Sequence, residues 1–269
     1  MLLKGKTVLV TGTASGIGRE TALHAVREGA THVACLDIAD EPNAATAELL
    51  HGMGAQARAI HVDLGDVASI RAAYAEAMQL LTHLDGAAHI GGYSWRGETL
   101  DVTEEQWDAV INANLRSTFF LCQEALRVMY PRATGAIVNT SADAAFHPIA
   151  GMAVQAAGKG AIVPMTRTMA LEAAPRGVRV NVVSPGIVRT QRAGAERPSE
   201  PPLRRDIPAA QAAPTPDPTD HLAAQTAAGR YMTMAEVAQT NVFLLSDAAS
   251  GINGELLAVN GGGYLSLRY

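Results

Sequence analysis

Short apolar runs alternate along the chain with longer segments in which apolar residues recur every three or four positions. Runs rich in Val, Leu, Ile and Ala are typical of strands buried on both faces, and the longer segments are typical of amphipathic helices. The alternation predicts βαβ units and a single α/β domain with one doubly wound, seven-stranded parallel sheet flanked by helices. The predicted strands are Thr7–Val10, His32–Asp37, Ala57–Val62, Gly86–Ile90, Ala136–Thr140, Val178–Val183 and Leu256–Val259.

Helices are predicted between these strands, and one further segment differs in composition. The stretch from Gln191 to Arg230 contains seven prolines, which interrupt helices because proline lacks an N–H donor. A long irregular stretch inside a compact domain is typically a lid or a binding loop, so residues 191–230 are interpreted as a substrate lid. The predicted helices are Gly16–Glu28, Ala44–Met53, Val67–Leu80, Glu104–Met129, Met152–Ala174 and Met234–Ser246.

Composition narrows the classes of partner. The chain has 269 residues, 48% of them hydrophobic, which is enough for one large core and predicts a single domain over residues 1–269. The formal charge is −5, only 4% of residues are aromatic, and no basic stripe is visible. These features disfavour nucleic acid and anionic membranes as partners and favour a small-molecule substrate.

The expected location is the cytoplasm. No apolar run approaches the roughly 18 residues of a membrane-spanning helix, and the first predicted strand begins too early to leave room for a signal peptide. Cys35 and Cys122 have no metal-ligand spacing, so both are interpreted as core residues in a reducing compartment, and no metal is expected.

A glycine-rich turn follows the first strand, with the sequence Thr11-Gly12-Thr13-Ala14-Ser15-Gly16-Ile17-Gly18. Glycines allow a tight bend and let the backbone approach a diphosphate, which the first N–H groups of the next helix bind. Asp37 ends the second strand about 20 residues later, where a carboxylate accepts hydrogen bonds from ribose hydroxyls and repels a 2′-phosphate. Glycines also serve plain turns, and a strand-end Asp can simply be solvated, but the spacing favours a dinucleotide site. Because the loop carries Ser15 and no basic residue, the pattern predicts NAD.

From these residues onward, nearly the whole chain resembles the short-chain dehydrogenase/reductase family. The glycine-rich turn has the family's TGxxxGIG form, and three later segments also match in order: Val62-Asp63-Leu64, Ile111–Leu115 and Asn181–Thr190. Val259-Asn260-Gly261-Gly262 is similar to the end of the family's closing strand. The resemblance implies a Rossmann fold and a nicotinamide-dependent oxidoreductase.

The resemblance also implies roles for single residues. Asp63 and the Leu64 amide would contact the adenine, Pro185 and Gly186 would line the nicotinamide, and Lys159 would bind the nicotinamide ribose. Asn114 would hold a water in a proton relay. The implied cofactor residues are Gly12, Ser15, Gly16, Ile17, Gly18, Asp37, Asp63, Leu64, Gly91, Lys159, Pro185, Gly186, Val188 and Thr190.

The catalytic positions depart from the family's pattern. Gln155 stands where the family's tyrosine is expected, and its amide does not titrate near neutral pH. The family's serine lies about 13 residues earlier, which gives Ala142. Ser141 is one residue before it, and along an extended strand its side chain points to the opposite face, although a shifted alignment would restore it. At the fourth strand, Ala88-His89-Ile90-Gly91 replaces the family's Asn-Asn-Ala-Gly.

The catalytic candidates are therefore Asn114, Ser141, His147, Gln155 and Lys159. Without a tyrosine, Lys159 is interpreted first as a cofactor ligand, with direct proton transfer and a plain surface cation as alternatives. His147 is a candidate replacement acid because histidine titrates near pH 7, and His89 and Asp143 are further candidates.

Three functions remain open at this point. The first is an NAD-dependent oxidoreductase acting on a ketone/alcohol pair with an altered proton relay, the second a cofactor-binding pseudoenzyme, and the third a lyase or isomerase on the same scaffold. The resemblance also implies a homodimer or homotetramer formed by the helices Glu104–Met129 and Met152–Ala174.

Overall fold

A computed structural model describes residues 1–188 and 226–263. Its centre is one seven-stranded sheet in which every neighbouring pair is parallel, with the strand order β3-β2-β1-β4-β5-β6-β7. The predicted fold is confirmed, and each predicted strand is present within two residues of its predicted bounds. The strands are β1 Thr7–Thr11, β2 His32–Asp37, β3 Gln56–His61, β4 Gly86–His89, β5 Gly135–Thr140, β6 Val178–Pro185 and β7 Leu256–Val259.

Helices cover both faces of the sheet. Alternate residues of each strand point to opposite faces, so Leu9 packs with one cluster, while Val8 and Val10 pack with the other. No helix in the described ranges is both long and apolar enough to cross a membrane. The helices are α1 Gly16–Arg27, α2 Asp40–Gly52, α3 Val67–Leu81, α4 Glu104–Ile111, α5 Ser117–Met129, α6 Ala153–Ala173 and α7 Met234–Leu245.

The predicted helix Glu104–Met129 is in fact two helices. A π-helical turn over Asn112–Arg116 separates α4 from α5. A π turn adds a residue without breaking the run of apolar positions, so periodicity does not reveal it, and such turns are frequent at functional sites. Asn114 is in this turn and is buried.

Helix α2 begins at Asp40, four residues before its predicted start at Ala44. The prediction placed the boundary after Pro42, but proline is tolerated in the first turn of a helix because the N–H groups there have no partner within the helix. The earlier start places Asn43 on the helix, where its side chain is buried.

A buried polar network joins the sheet to the helices on one face. His89 in β4 is bonded through Nδ1 to Asn139 Oδ1 in β5 at 2.9 Å, and its Nε2 lies 3.0 Å from the hydroxyl of Tyr74 in α3. Cys122 donates to the same Asn139 oxygen, and Asn139 Nδ2 donates to Thr166 Oγ1 in α6. Since Asn139 Oδ1 accepts from Nδ1, the Tyr74 hydroxyl donates to Nε2, and the neutral imidazole is satisfied at both nitrogens. Burial lowers the pKa of His89 to about 4.

The network predicts an acid-sensitive fold. The folded pKa of His89 is about 4 against an ordinary value of 6.5, so the unfolded chain binds more protons between these values. Stability is therefore fully present above about pH 6.5 and is lost as the pH falls toward about 4, by about 3 kcal/mol for this one group. Urea unfolding at pH 7 and pH 4.5 measures the loss.

The control for this prediction is His89→Asn, which keeps a polar side chain but removes the titration. We expect it to be less stable than the parent at pH 7 and to lose less stability on acidification. An equal acid-induced loss in both proteins would contradict the assignment to His89.

Candidate functional site

A cavity of about 690 Å³ lies at the edge of the sheet where the parallel strands end. Its wall is formed by the turn after β1, the ends of β2 and β3, the segment after β4 and the π turn. Ligands of open parallel sheets bind at this edge, near the position where the strand order reverses. The lining includes nine of the predicted cofactor residues: Gly12, Ser15, Gly16, Ile17, Gly18, Asp37, Asp63, Leu64 and Gly91.

The turn after β1 can be formed only by glycine at two of its positions. Gly12 has φ +78°, and a Cβ there would lie 2.9 Å from the backbone of Gly91. A Cβ on Gly18 would overlap the carbonyl oxygen of Gly12. Helix α1 therefore starts directly against the turn, and its first N–H groups face the cavity wall.

The start of α1 is not neutralised from within the helix. The N-cap residue Ser15 makes no side-chain cap hydrogen bond, and the first turn carries no acidic residue. The positive end of the helix dipole is thus left to an anion such as a diphosphate. This observation, together with a turn that a Cβ would fill, shows that the residues present fit a dinucleotide.

A buried network missed by the sequence analysis holds the turn in place. Thr13 Oγ1 donates to Asn43 Oδ1 at 2.7 Å, and Thr46 Oγ1 donates to the Thr13 carbonyl at 2.8 Å. Asn43 Nδ2 donates to the Cys35 carbonyl at 2.9 Å. Helix α2 therefore clamps the turn from the side away from the cavity. The only sequence signal was a cluster of small polar residues, which apolar periodicity overlooks.

Asp37 lies at the end of β2 with its carboxylate fixed by backbone donors. Its two oxygens accept hydrogen bonds from the N–H groups of Ala14 and Ala39, each at 3.0 Å. These bonds orient the carboxylate beside the glycine-rich turn and keep its negative charge at the cavity wall.

Of the five remaining predicted cofactor residues, Lys159 lies on α6, and the other four lie at or beyond the end of β6. Pro185 is the last residue of β6, and Gly186 donates its N–H to the Val259 carbonyl of β7 at 3.0 Å. A Cβ on Gly186 would lie 2.6 Å from Asn260, so the chain passes close to β7 here. Val188 forms an isolated bridge with Met232. Thr190 and residues 191–225 of the expected lid lie outside the described residues.

Lys159 and Asn114 both lie next to Gly92, a residue that lines the cavity. Lys159 Nζ donates to the carbonyl of Thr140, the last residue of β5, at 2.9 Å, and the side chain is buried. Asn114 Nδ2 donates to the carbonyls of Tyr93 and Val110 at 2.6 Å and 2.8 Å. Burial lowers the pKa of Lys159 to about 8, because desolvation disfavours the ammonium.

Gly92 is the residue at which these two side chains come together. It lines the cavity, and a Cβ there would overlap Asn114 Oδ1 and lie 3.6 Å from Lys159 Nζ. The absence of a side chain at this position therefore lets both groups pack against the cavity wall. Gly92 cannot be recognised from the sequence alone, because a glycine in a loop resembles an ordinary turn residue.

Gln155 precedes Lys159 by one helical turn on α6 and so shares its face. The side chain is 7% exposed, and its Oε1 has no hydrogen-bond partner within residues 1–188 and 226–263. The amide can bind a polar group but cannot give up a proton near neutral pH.

Ser141 is directed into the protein. Its Oγ donates to the carbonyl of Lys159 at 2.8 Å, and the residue is 1% exposed. The hydroxyl proton is thus used to hold β5 against α6, as the alternation along the strand indicated. This geometry argues against Ser141 as a catalytic group.

The candidate acids differ in their surroundings. The ring of His89 is enclosed in the core network, which gives it a structural role. His147 is half-buried in the segment after β5, and its backbone N–H donates to the backbone carbonyl of Asp143 at 2.7 Å. Asp143 Oδ1 accepts from Asn260 Nδ2 at 3.3 Å, which places its carboxylate near the end of β7.

Comparison with known proteins agrees with the class that the fold defines, a Rossmann-like α/β protein. Residues 12–263 match the family described as enoyl-(acyl carrier protein) reductase. The chain is 35% identical over 260 residues to the 2-(S)-hydroxypropyl-CoM dehydrogenase 3 of Xanthobacter autotrophicus, with 97% of each chain covered. The protein belongs to the short-chain dehydrogenase/reductase family.

Two further relatives support this assignment. The 3-oxoacyl-[acyl-carrier-protein] reductase FabG of Thermotoga maritima is 31% identical over 262 residues, which cover 97% of this chain and 99% of that protein. Among solved structures, a putative short-chain alcohol dehydrogenase from Sinorhizobium meliloti 1021 superposes with a TM-score of 0.86 at 29% identity, with 98% of both chains covered.

The turn geometry generates a test with a matched control. Gly18→Ala forces a Cβ onto the Gly12 carbonyl, so the turn must shift, and we expect NADH to bind at least about tenfold more weakly, equivalent to ~1.4 kcal/mol. A fluorescence titration with NADH measures the affinity, and circular dichroism checks that the protein is folded. Unchanged affinity would show that the turn does not carry the dinucleotide.

The control is Gly52→Ala in the last turn of α2. A Cβ at Gly52 meets nothing within 4 Å. This change should leave NADH affinity unaltered and stabilise the helix by about 0.5–1 kcal/mol.

Proposed function

We propose that this protein is an NAD-dependent oxidoreductase that interconverts a small-molecule ketone and the corresponding alcohol through an altered proton relay. The observation that carries the proposal is the buried Lys159 ammonium, held next to Gly92 of the cavity that is also lined by the glycine-rich turn and Asp37. The names of two relatives, a hydroxypropyl-CoM dehydrogenase and a 3-oxoacyl reductase, describe alcohol and ketone substrates and support the same class of reaction.

The residues of the chain divide the work of such a reaction. The start of α1 and the turn before it would hold the diphosphate, Asp37 the adenosine ribose, and Pro185 and Gly186 one side of the nicotinamide. The bound nicotinamide would supply or accept the hydride. Lys159 would hold the adjacent ribose and provide positive charge where negative charge develops on the substrate oxygen.

The amide at position 155 favours a second candidate, a protein that binds the dinucleotide as a sensor or structural subunit. An amide cannot serve as the acid or base that carbonyl chemistry requires, and positioned acid–base catalysis typically contributes about 10²–10⁴-fold in rate. The two candidates differ in whether hydride transfer occurs, and the second prediction below separates them.

The first prediction concerns cofactor choice. NAD(H) should bind more tightly than NADP(H), because the Asp37 carboxylate would face the extra phosphate at a cost of about 1–4 kcal/mol. Asp37→Asn removes the charge and should relax the preference, whereas Asp40→Asn, an exposed carboxylate three residues later, should not. Titration calorimetry measures both affinities, and equal binding of the two dinucleotides by the parent would refute this assignment.

The second prediction concerns the relay. Gln155→Tyr combined with Ala142→Ser would place a phenol one helical turn from Lys159 and a hydroxyl on the segment after β5. We expect the reduction of ethyl acetoacetate by NADH to rise by about 10²-fold or more over the parent. Single-turnover absorbance of the reduced nicotinamide measures it.

The control is Gln155→Phe with Ala142→Ser, which adds the ring without the acid and should give no such rise. If neither the parent nor the tyrosine variant transfers hydride to a panel of ketones while NADH still binds, the sensor candidate replaces the oxidoreductase.

A further inference from the structure

Four polar groups of the site differ in whether their protons are available. The Ser141 proton is donated to the Lys159 carbonyl, and His89 is bonded at both ring nitrogens inside the core. Gln155 has no titratable proton. Lys159 has three N–H donors, of which one is directed to the Thr140 carbonyl. Two N–H groups of this ammonium therefore remain for other acceptors.

The position of the ammonium is fixed by three elements. The Thr140 carbonyl of β5 anchors Nζ at 2.9 Å, and Gly92 after β4 lies close enough that a Cβ there would be 3.6 Å from it. Asn114 Oδ1 in the π turn packs against the same glycine and has no hydrogen-bond partner within the described ranges. Because Gly92 lines the cavity, the ammonium is separated from it only by a residue without a side chain.

We propose that Lys159 itself exchanges the proton with the substrate oxygen, with Asn114 and Gly92 positioning its ammonium at the cavity wall. The proposal rests on the oxidoreductase function proposed above. In the direction of reduction, hydride adds to the carbonyl carbon and the π electron pair moves to oxygen. That oxygen takes a proton from Nζ and forms an O–H bond. The electron pair of the broken Nζ–H bond stays on the nitrogen. Solvent then protonates the neutral amine.

The charges around Lys159 support this role. Burial is the cause that lowers the pKa of Lys159 to about 8, and no charged neighbour contributes to the shift. The Thr140 carbonyl and Gly92 next to Nζ do not titrate, and neither do the amides of Asn114, on the π turn, and Gln155, one helical turn before Lys159. The titratable groups on the adjoining segments are Tyr93 after Gly92, and Asp143 and His147 after β5.

The sign of the pH dependence follows. Reduction requires the ammonium, so its rate should be constant below about pH 8 and fall about tenfold per pH unit above it. Oxidation requires the neutral amine, so its rate should rise through the same range and level off above it.

The test compares two substitutions of Lys159. Arginine keeps the positive charge for a ribose but does not release its proton in this pH range. Lys159→Arg should therefore bind NADH within about tenfold of the parent, yet reduce ethyl acetoacetate about 10²-fold or more slowly and without the fall above pH 8. Lys159→Met should lose both affinity and turnover. Lys4→Arg, an exposed and distant lysine, is the matched control and should change neither.

A measurement on the ligand-free protein needs no turnover. The chain has only three lysines, Lys4, Lys6 and Lys159, so ¹³C-lysine labelling gives three resonances, and Lys159→Arg identifies the third. That resonance should titrate near pH 8. Gly92→Ala, which displaces Asn114 and the segment beside Nζ, should shift this titration.

The outcomes separate the two proposals. Lack of turnover by the parent across the ketone panel would remove the role of Lys159 in proton transfer, and lack of turnover by the variant with Gln155→Tyr and Ala142→Ser as well would remove both proposals. Turnover that persists in Lys159→Arg with the parent's pH profile would remove only the role of Lys159 in proton transfer. Loss of turnover in His147→Gln, with retention in Lys159→Arg, would assign the proton to His147.

Discussion

The contact between the turn after β1 and the end of β4 is the constraint on which the site depends. Thr11 Oγ1 accepts hydrogen bonds from the N–H groups of Ile90 and Gly91 at 2.9 Å and 3.0 Å, and Gly12 lies so close to Gly91 that neither leaves room for a larger residue. This contact fixes where the chain leaves β4 and so carries Gly92 to Asn114 and Lys159. The glycine-rich turn and the surroundings of Lys159 are therefore both positioned by the contact between the ends of two neighbouring strands, β1 and β4.

The portion of the site that sequence could predict is the portion contained in one βαβ unit. Gly12, Gly16, Gly18 and Asp37 are separated by fixed distances along the chain, and each has a local reason for its residue type. The structure places all four at one cavity. Asp63, Leu64 and Gly91 lie outside this unit and are indicated only by the resemblance to the family; they line the same cavity because parallel strands end at one edge of the sheet.

The portion that sequence could not predict depends on contacts between distant residues. The hydrogen bond from Thr13 to Asn43 spans 30 positions, and nothing in the apolar pattern shows that α2 begins early enough to make it. The π turn that carries Asn114 leaves the run of apolar residues uninterrupted. Gly92 has a role only because two side chains from other elements converge on it. In each case the residue type is common at such a position, and its role depends on a neighbour that is distant in the sequence.

Buried polar side chains differ in whether they have hydrogen-bond partners, and the core network and the surroundings of Lys159 show the difference. In the core, His89, Asn139, Tyr74, Cys122 and Thr166 satisfy one another. On the elements that flank Lys159, Asn114 Oδ1 and Gln155 Oε1 are buried without a partner in the described residues, at a cost of about 1–3 kcal/mol each. Beside them, the Lys159 ammonium donates to one protein acceptor, and burial lowers its pKa because desolvation disfavours the charged form.

The core network shows that buried polar side chains of this fold can find hydrogen-bond partners, as His89, Cys122 and Tyr74 do. Two of the buried polar atoms without a partner in the described residues, Asn114 Oδ1 and Gln155 Oε1, lie on the two elements that flank Lys159, where a bound polar group would offset their cost. A bound polar group gains the most where donors and acceptors are already desolvated and oriented, because no reorganisation is required when it arrives. The buried Lys159 ammonium would stabilise a developing oxyanion in this way, and a lysine, unlike an apolar residue of similar length, supplies the positive charge.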